Sequence, residues 1–356
     1  MVEVFRLVRP VVHWLSPETA HQAGICALRY GLLGRAAFIH HPMLTTQAFG
    51  LSFRNPLGLA AGFDKNAVAV DALLAQGFGF VEAGTVTPRA QSGNPKPRIF
   101  RLSHDEAVIN RLGFNNNGLD EYLRNFARHK KDAGIAGANI GKNKDSTDAV
   151  QDYITGLKAV FPLADYITVN ISSPNTKGLR DLQQRDALGE LLGELLKIRN
   201  VCAGQYGKTV PLLLKVAPDL AKAEIDDVVS VIAQHPIDGL IVSNTTVSRP
   251  ESLCSAHKQE QGGLSGRPLF ALSTQVLRAF YERTEGKIPL VGVGGIASAE
   301  DAYTKIRAGA ALVQLYSALV YQGFGLVERI CNGLPELLQR DGFSHISEAI
   351  GADVKK

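Results

Sequence analysis

Two amides and two hydroxyls crowd the end of one apolar run. Residues 166–178 read YITVNISSPNTKG. Ile167, Val169 and Ile171 alternate with Tyr166, Thr168 and Asn170, which is the period of a β-strand. A polar loop from Ser172 to Thr176 follows, and Pro174 ends the pairing. Asn170, Ser173, Asn175 and Thr176 are thus offered together where a strand stops. In a barrel of parallel strands, that is where active sites sit. A lone Asn-Ser pair would read as an ordinary turn. The argument for more is that other runs in the chain end the same way.

Leu57–Ala61 is followed by Gly62, Phe63, Asp64 and Lys65. The small residues Ala61 and Gly62 let a ligand lie close to the backbone, and Lys65 adds a positive charge. Phe80–Thr85 ends in Thr85, Gly137–Gly141 carries Asn139, and Gly239–Ser243 leads into Asn244 and Thr245. Leu212–Val216 holds Lys215 inside an apolar strand, which is costly unless a negative group neutralises it. Leu290–Val293 runs into Gly294-Gly295, and Ala311–Leu315 into Tyr316-Ser317. The loops after strands seven and eight of a barrel are its usual phosphate site, where backbone N–H groups can hold a dianion. Glu300 and Asp301 would repel a phosphate, which places it nearer Gly295 and Ser317. The segment Asn110 to Gly118, NRLGFNNNG, is also rich in amides. Amides donate and accept at once, as a ring edge alternating C=O and N–H requires. A flexible polar loop would have the same composition.

These eight runs have to be strands if the polar residues are to converge. Amphipathic stretches at Asp186–Val201, Ala223–Ile232 and Ser298–Ala308 read as helices between them. Strand–helix alternation implies a parallel sheet. Eight units of even composition imply a closed (β/α)8 TIM barrel over residues 41–340, followed by a tail at 341–356. The longer connections at 86–136 and 246–267 are expected to cover its top. Residues 1–40 read as a helical module. A greasy helix over 2–15 carries Arg6, Arg9 and His13 in one stripe and is kinked at Pro10. A second helix starts at Ser16-Pro17-Glu18 and runs to about Leu33, with Gly34 as its stop and His21, Ile25, Leu28 and Leu32 on one face. Such helices pack on a fold or lie on a membrane surface.

The chain has 356 residues, 45% of them apolar and 20% charged, with a net charge of +4. A mild charge with no Lys/Arg-rich run speaks against nucleic acid as a partner. The four cysteines, Cys26, Cys202, Cys254 and Cys331, are scattered. That speaks against zinc, an iron–sulfur cluster and a disulfide framework. No apolar run approaches the roughly 20 residues that span a bilayer.

Taken together, AAGFDK, EAGTVTP, NRLGFNN, ANIGKN, VNISSPNT, LLKVAPD, SNTT, GGLSG, VGVGGI and LYSAL resemble the dihydroorotate dehydrogenase family over about residues 45–335. The resemblance implies an FMN barrel that oxidises (S)-dihydroorotate to orotate in pyrimidine (UMP) synthesis. Of its two branches, the soluble one uses a cysteine base and the membrane-associated one a serine. Ser173 stands at that position, so the resemblance is to class 2, which reduces a quinone. It implies FMN contacts at Ala61, Gly62, Lys65, Thr85, Asn139, Asn170, Lys215, Ser243, Gly266, Gly295, Tyr316 and Ser317. It implies substrate contacts at Lys65, Asn110, Arg111, Leu112, Gly113, Phe114, Asn170, Asn175, Asn244 and Thr245. His21 and Arg101, with Tyr316 nearby, match the quinone path. A peripheral enzyme on the cytoplasmic side of a cell inner membrane follows, using ubiquinone or menaquinone and no iron–sulfur partner subunit. Rival readings are other FMN barrels, the soluble branch of the same family, and a barrel that merely binds an anion.

Overall fold

The structure is a computed structural model, and it describes Phe5, Arg9, Pro10 and residues 12–36 and 41–354. A short hairpin, β1 (Thr46–Ala48) and β2 (Leu51–Phe53), precedes the barrel. The barrel strands are β3 (Leu57–Leu59), β4 (Phe80–Val86), β7 (Ile135–Ile140), β8 (Tyr166–Asn170), β9 (Leu212–Val216), β10 (Gly239–Val242), β12 (Leu290–Val293) and β13 (Ala310–Leu315). All are parallel, each pairs with the next, and β13 closes on β3. The expected (β/α)8 barrel is therefore present, strand for strand. Several strands stop a residue or two early, as β3 does before Ala60, because the backbone there turns into the loops that form the site.

The two long connections do cover the top. The first supplies β5 (Ile99–Leu102) and β6 (Ala107–Asn110), and the second supplies β11 (Gly263–Gly266). They join as a separate antiparallel sheet in the order β11-β6-β5.

Alternation along each strand sets what fills the barrel. Phe80, Tyr166, Leu213, Ile241, Val291 and Leu312 form an apolar floor with Phe53 of the hairpin. Two residues on, the same strands present Glu82, Thr168, Lys215 and Gln314 to one another, all buried. The outward set, including Ile167, Val169 and Ile171, packs in the larger core against the helices. The floor needs gaps as much as rings. A Cβ on Gly58 would fall 2.3 Å from the Phe80 ring, and one on Gly137 would fall 2.1 Å from the Tyr166 ring.

Before the barrel comes α1 (Pro17–Arg29), with Ser16 Oγ accepting from the Thr19 N–H at 3.2 Å. It ends four residues sooner than the pattern suggests. Gly31 takes φ +70°, and the Leu32 N–H turns back to the Ala27 carbonyl, closing the helix. Leu28 is buried, but Leu32 is left 75% exposed, so the expected apolar face is cut short. Half of the greasy helix at 2–15, Arg6 of its basic stripe included, lies outside the described residues. Where it is described, Arg9 donates to the Tyr321 carbonyl and His13 Nε2 meets the Val320 carbonyl at 3.1 Å. No helix among the described residues is long and apolar enough to cross a membrane. The helices between strands are α2 (Val70–Leu74), α3 (Leu119–Phe126), α4 (Ala149–Val160), α5 (Arg185–Tyr206), α6 (Lys222–Gln234), α7 (Phe270–Arg283) and α8 (Ala299–Arg307). After β13 follow α9 (Ala318–Gln322) and α10 (Gly325–Arg340). Residues beyond 341 pack back on the barrel, where Ile346 and Ala349 are buried and Arg307 pairs with Asp353.

A methyl group added at Gly58 has to displace the Phe80 ring. Gly58→Ala should therefore cost about 1–3 kcal/mol of stability, read as a lower midpoint in chemical denaturation. An unchanged midpoint would show that the floor is looser than described.

Candidate active site

The polar layer inside the barrel is built around Glu82, which is fully buried. Its Oε1 accepts from Asn139 Nδ2 at 2.7 Å. Its Oε2 accepts from Tyr166 Oη at 3.2 Å, Thr168 Oγ1 at 3.1 Å and Gln314 Nε2 at 3.1 Å. Lys215 shares this interior. Burial pushes its ammonium below the ordinary lysine range, and the Glu82 charge opposes that shift. Glu82 is thus the charge that acts on Lys215 from a distance, with no hydrogen bond between the two. Sequence reasoning missed it, although the signal was of the same kind: a lone acid within Phe80-Val81-Glu82-Ala83.

Above this layer the amides lock into one another. Thr85 Oγ1 donates to Asn139 Oδ1 at 2.5 Å. Asn170 Nδ2 donates to both Thr85 Oγ1 and Asn139 Oδ1, at 3.0 and 3.2 Å. Asn170 Oδ1 accepts from Ser172 Oγ at 2.9 Å, and Asn244 Nδ2 donates to Ser172 Oγ at 3.0 Å. Asn175 Nδ2 donates to the Asn110 carbonyl at 3.1 Å, tying the loop after β8 to the covering sheet. Ser173 Oγ accepts from the Asn175 N–H at 3.3 Å. Near it in sequence, Thr176 Oγ1 is buried with no hydrogen-bond partner among the described residues.

Thr85, Asn110, Asn170, Ser173, Asn175 and Asn244 face one cavity of about 820 Å3, which runs from the barrel top out beneath α1. All of the site residues singled out from the sequence line it except Asn139, Arg111 and Thr176. Asn139 lies one layer lower, holding Thr85 and Asn170 in place. Arg111 turns away: its guanidinium pairs with Glu260 at 2.7 Å and stacks over Phe100. Ser265, not singled out, also lines the cavity and accepts from Ser317 Oγ at 2.8 Å. Short polar strands of this kind have no periodic signature, so only its neighbour Gly266 stood out.

Lys65 Nζ donates to the Gly62 carbonyl at 2.8 Å. Burial, with help from the Arg98 charge, pushes its pKa down to about 8. The Asp64 carboxylate accepts from the Val68 and Ala69 N–H groups and fixes the loop that carries it. His21 of α1 packs edge-on against Phe63, with Tyr316 beyond. Burial, then Lys65, lower its pKa to about 4, so the imidazole is neutral at pH 7. Arg101 donates to the His13 and Leu15 carbonyls, clasping the chain between the two N-terminal helices. Arg98 forms a two-pronged ion pair with Glu18 of α1 and also donates to the Ser92 and Asn94 carbonyls. Asn94 Nδ2 in turn donates to the Arg111 and Asn175 carbonyls.

Residues 43–338 match the family described as dihydroorotate dehydrogenase. A protein of Azorhizobium caulinodans named dihydroorotate dehydrogenase (quinone) is 52% identical over 356 residues, 99% of this chain and 100% of its own length. One of Rhodopseudomonas palustris with the same name is 54% identical, covering 99% of this chain and 97% of its own. Among solved structures, the Eimeria tenella enzyme in complex with ferulenol superposes with a TM-score of 0.91 at 41% identity, covering 97% of this chain and 99% of its own. With a shared barrel and relatives matched from end to end, the chain belongs to the dihydroorotate dehydrogenase family, in its quinone-dependent branch.

Proposed function

We propose that the chain oxidises (S)-dihydroorotate to orotate with bound FMN and hands the electrons to a quinone, as a step of pyrimidine synthesis. The observation that carries this is the convergence of Lys65, Ser173, Lys215 and the interlocked amides on a single cavity. The cavity suits a flavin. Its volume lies within the roughly 300–1,000 Å3 of ligand sites. Lys215 Nζ hydrogen-bonds to none of the described residues, so a buried ammonium is free to meet an electron-rich ring edge. Gly294 and Gly295, at φ +113° and +78°, present bare backbone where a phosphate would end. Ala61, Gly62, Lys65, Thr85, Asn170, Lys215, Ser243, Gly266, Gly295, Tyr316 and Ser317 would hold the cofactor, with Asn139 bracing them from below. Bound FMN supplies the acceptor for the hydride that leaves one ring carbon of the substrate.

The protein handles the proton from the neighbouring carbon. Ser173 Oγ is the group placed to take it, and a positioned base is worth about 10²–10⁴ in rate. A serine hydroxyl needs an outlet for its own proton, and the unpartnered Thr176 Oγ1 supports a relay there. Asn110, Asn170, Asn175 and Asn244 read the ring's amide edges, with Thr245 and the Leu112–Phe114 turn around them. Lys65 pairs with the carboxylate. Neutral His21, Tyr316 and Arg101 line the way out to the quinone. Exposed Trp14 and Leu32, 93% and 75% accessible, support a peripheral seat on the cytoplasmic face of the inner membrane.

Anaerobic titration with dihydroorotate should bleach the oxidised flavin band, and a quinone analogue should restore it where fumarate and NAD do not. A flavoprotein that dihydroorotate leaves oxidised would defeat the reading. Ser173→Ala should keep FMN and bind orotate but lose about 10²–10⁴ in kcat. Near-normal turnover would remove Ser173 from the role of base. The Lys65 ammonium is present below its pKa of about 8 and is lost above it. The value of kcat/KM for dihydroorotate should therefore fall with pH above about 8, approaching about tenfold per unit, and Lys65→Met should be low and flat across that range.

A further inference from the structure

One enclosed cation takes no part in the chemistry above. Lys305 of α8 lies behind β12 and is 0% exposed. Its Nζ donates to Ser273 Oγ at 2.8 Å and Thr274 Oγ1 at 2.9 Å, and sits 5.0 Å from the centre of the Phe270 ring. No carboxylate among the described residues is within ion-pair distance, and Asp301 acts only from further off. Burial lowers its pKa to about 7. Holding a charge this way is expensive, and a methionine could fill the same space without the cost.

The groups around the ammonium reach the Gly294-Gly295 turn. Ser273 Oγ, which takes the lysine's hydrogen bond, lies 3.1 Å from both the Gly294 and the Phe270 carbonyls and shares its single proton between them. Phe270, whose ring faces the ammonium, has its backbone against Gly295, where an added Cβ would fall 2.7 Å from the Phe270 nitrogen. Lys305, Ser273 and Phe270 are thus the support beneath the Gly294-Gly295 turn.

We infer that Lys305 is a positioning residue for the cofactor's phosphate, fixing the glycine turn through Ser273 and countering the dianion from beneath. This rests on the FMN reading above. In an interior of low dielectric, a cation one layer removed still acts strongly on an anion.

Flavin of the phosphorylated and unphosphorylated kinds separates this role from packing. The full-length chain, freed of cofactor, is titrated with FMN and with riboflavin, which shares the ring and lacks the phosphate. Lys305→Met should weaken FMN binding by about tenfold or more and leave riboflavin binding unchanged. Equal losses for both ligands, or no loss for either, would overturn the inference. A wild-type chain that binds neither flavin would instead defeat the FMN reading itself. Should Lys305→Met melt without cofactor, Ser273→Ala breaks the link to Gly294 and should show the same phosphate-selective loss; equal affinities to wild type would again overturn the assignment.

Discussion

A carboxylate sealed inside a barrel has to be met by donors from every side. Glu82 satisfies that demand with an amide, a phenol, a hydroxyl and a second amide, drawn from β7, β8 and β13. Burying an unpaired charge would cost far more than any one of these bonds returns. The donors are therefore not free to wander, and the groups stacked on them inherit their order. Asn139 is fixed by Glu82, Thr85 and Asn170 by Asn139, and Ser172 and Asn244 by Asn170. Lys215 stands in the same layer, where burial lowers its pKa and the Glu82 charge opposes that shift. The site is preorganised from its floor upward.

Much of this was legible in the residues. Eight apolar runs with polar ends gave the barrel, because the two-residue period shows which side chains face inward. Lys215 stood out as a charge in an apolar strand. The same logic applied to Glu82, yet an acid without an obvious ligand role draws less notice than a lysine. The covering sheet was visible only as excess length: β5, β6 and β11 are four residues each, and although β5 and β6 form a local hairpin, β11 joins β6 across a gap in sequence that no local pattern spans. The end of α1 falls before Gly34 because Gly31 turns left-handed and lets the Leu32 N–H close on the Ala27 carbonyl, a local cap that a periodic apolar face hides. Arg111 sits inside a motif that otherwise faces the cavity, and only the position of Glu260 explains why it turns outward.

The barrel interior grades from apolar to polar over a few residues. Phe80 to Glu82, Tyr166 to Thr168 to Asn170, and Leu312 to Gln314 to Tyr316 each climb from floor to site in steps of two. The same spacing that fills the floor with rings delivers amides and a phenol to the ligand. Fold and site therefore use a common rule, and a register slip by one residue in any strand would exchange the barrel's interior set for the set that packs on the helices.

The pairing of Glu18 with Arg98 has a further implication for the chain as a unit. Arg98 is nearly enclosed, and through Asn94 it touches the backbone of the loops that carry Arg111 and Asn175. Deleting the N-terminal helices would strand its guanidinium without a counter-ion and loosen those loops at once. The N-terminal helices and the catalytic barrel are thus one mechanical body: a trimmed barrel would not be the same enzyme with a handle removed, but a different and less ordered one.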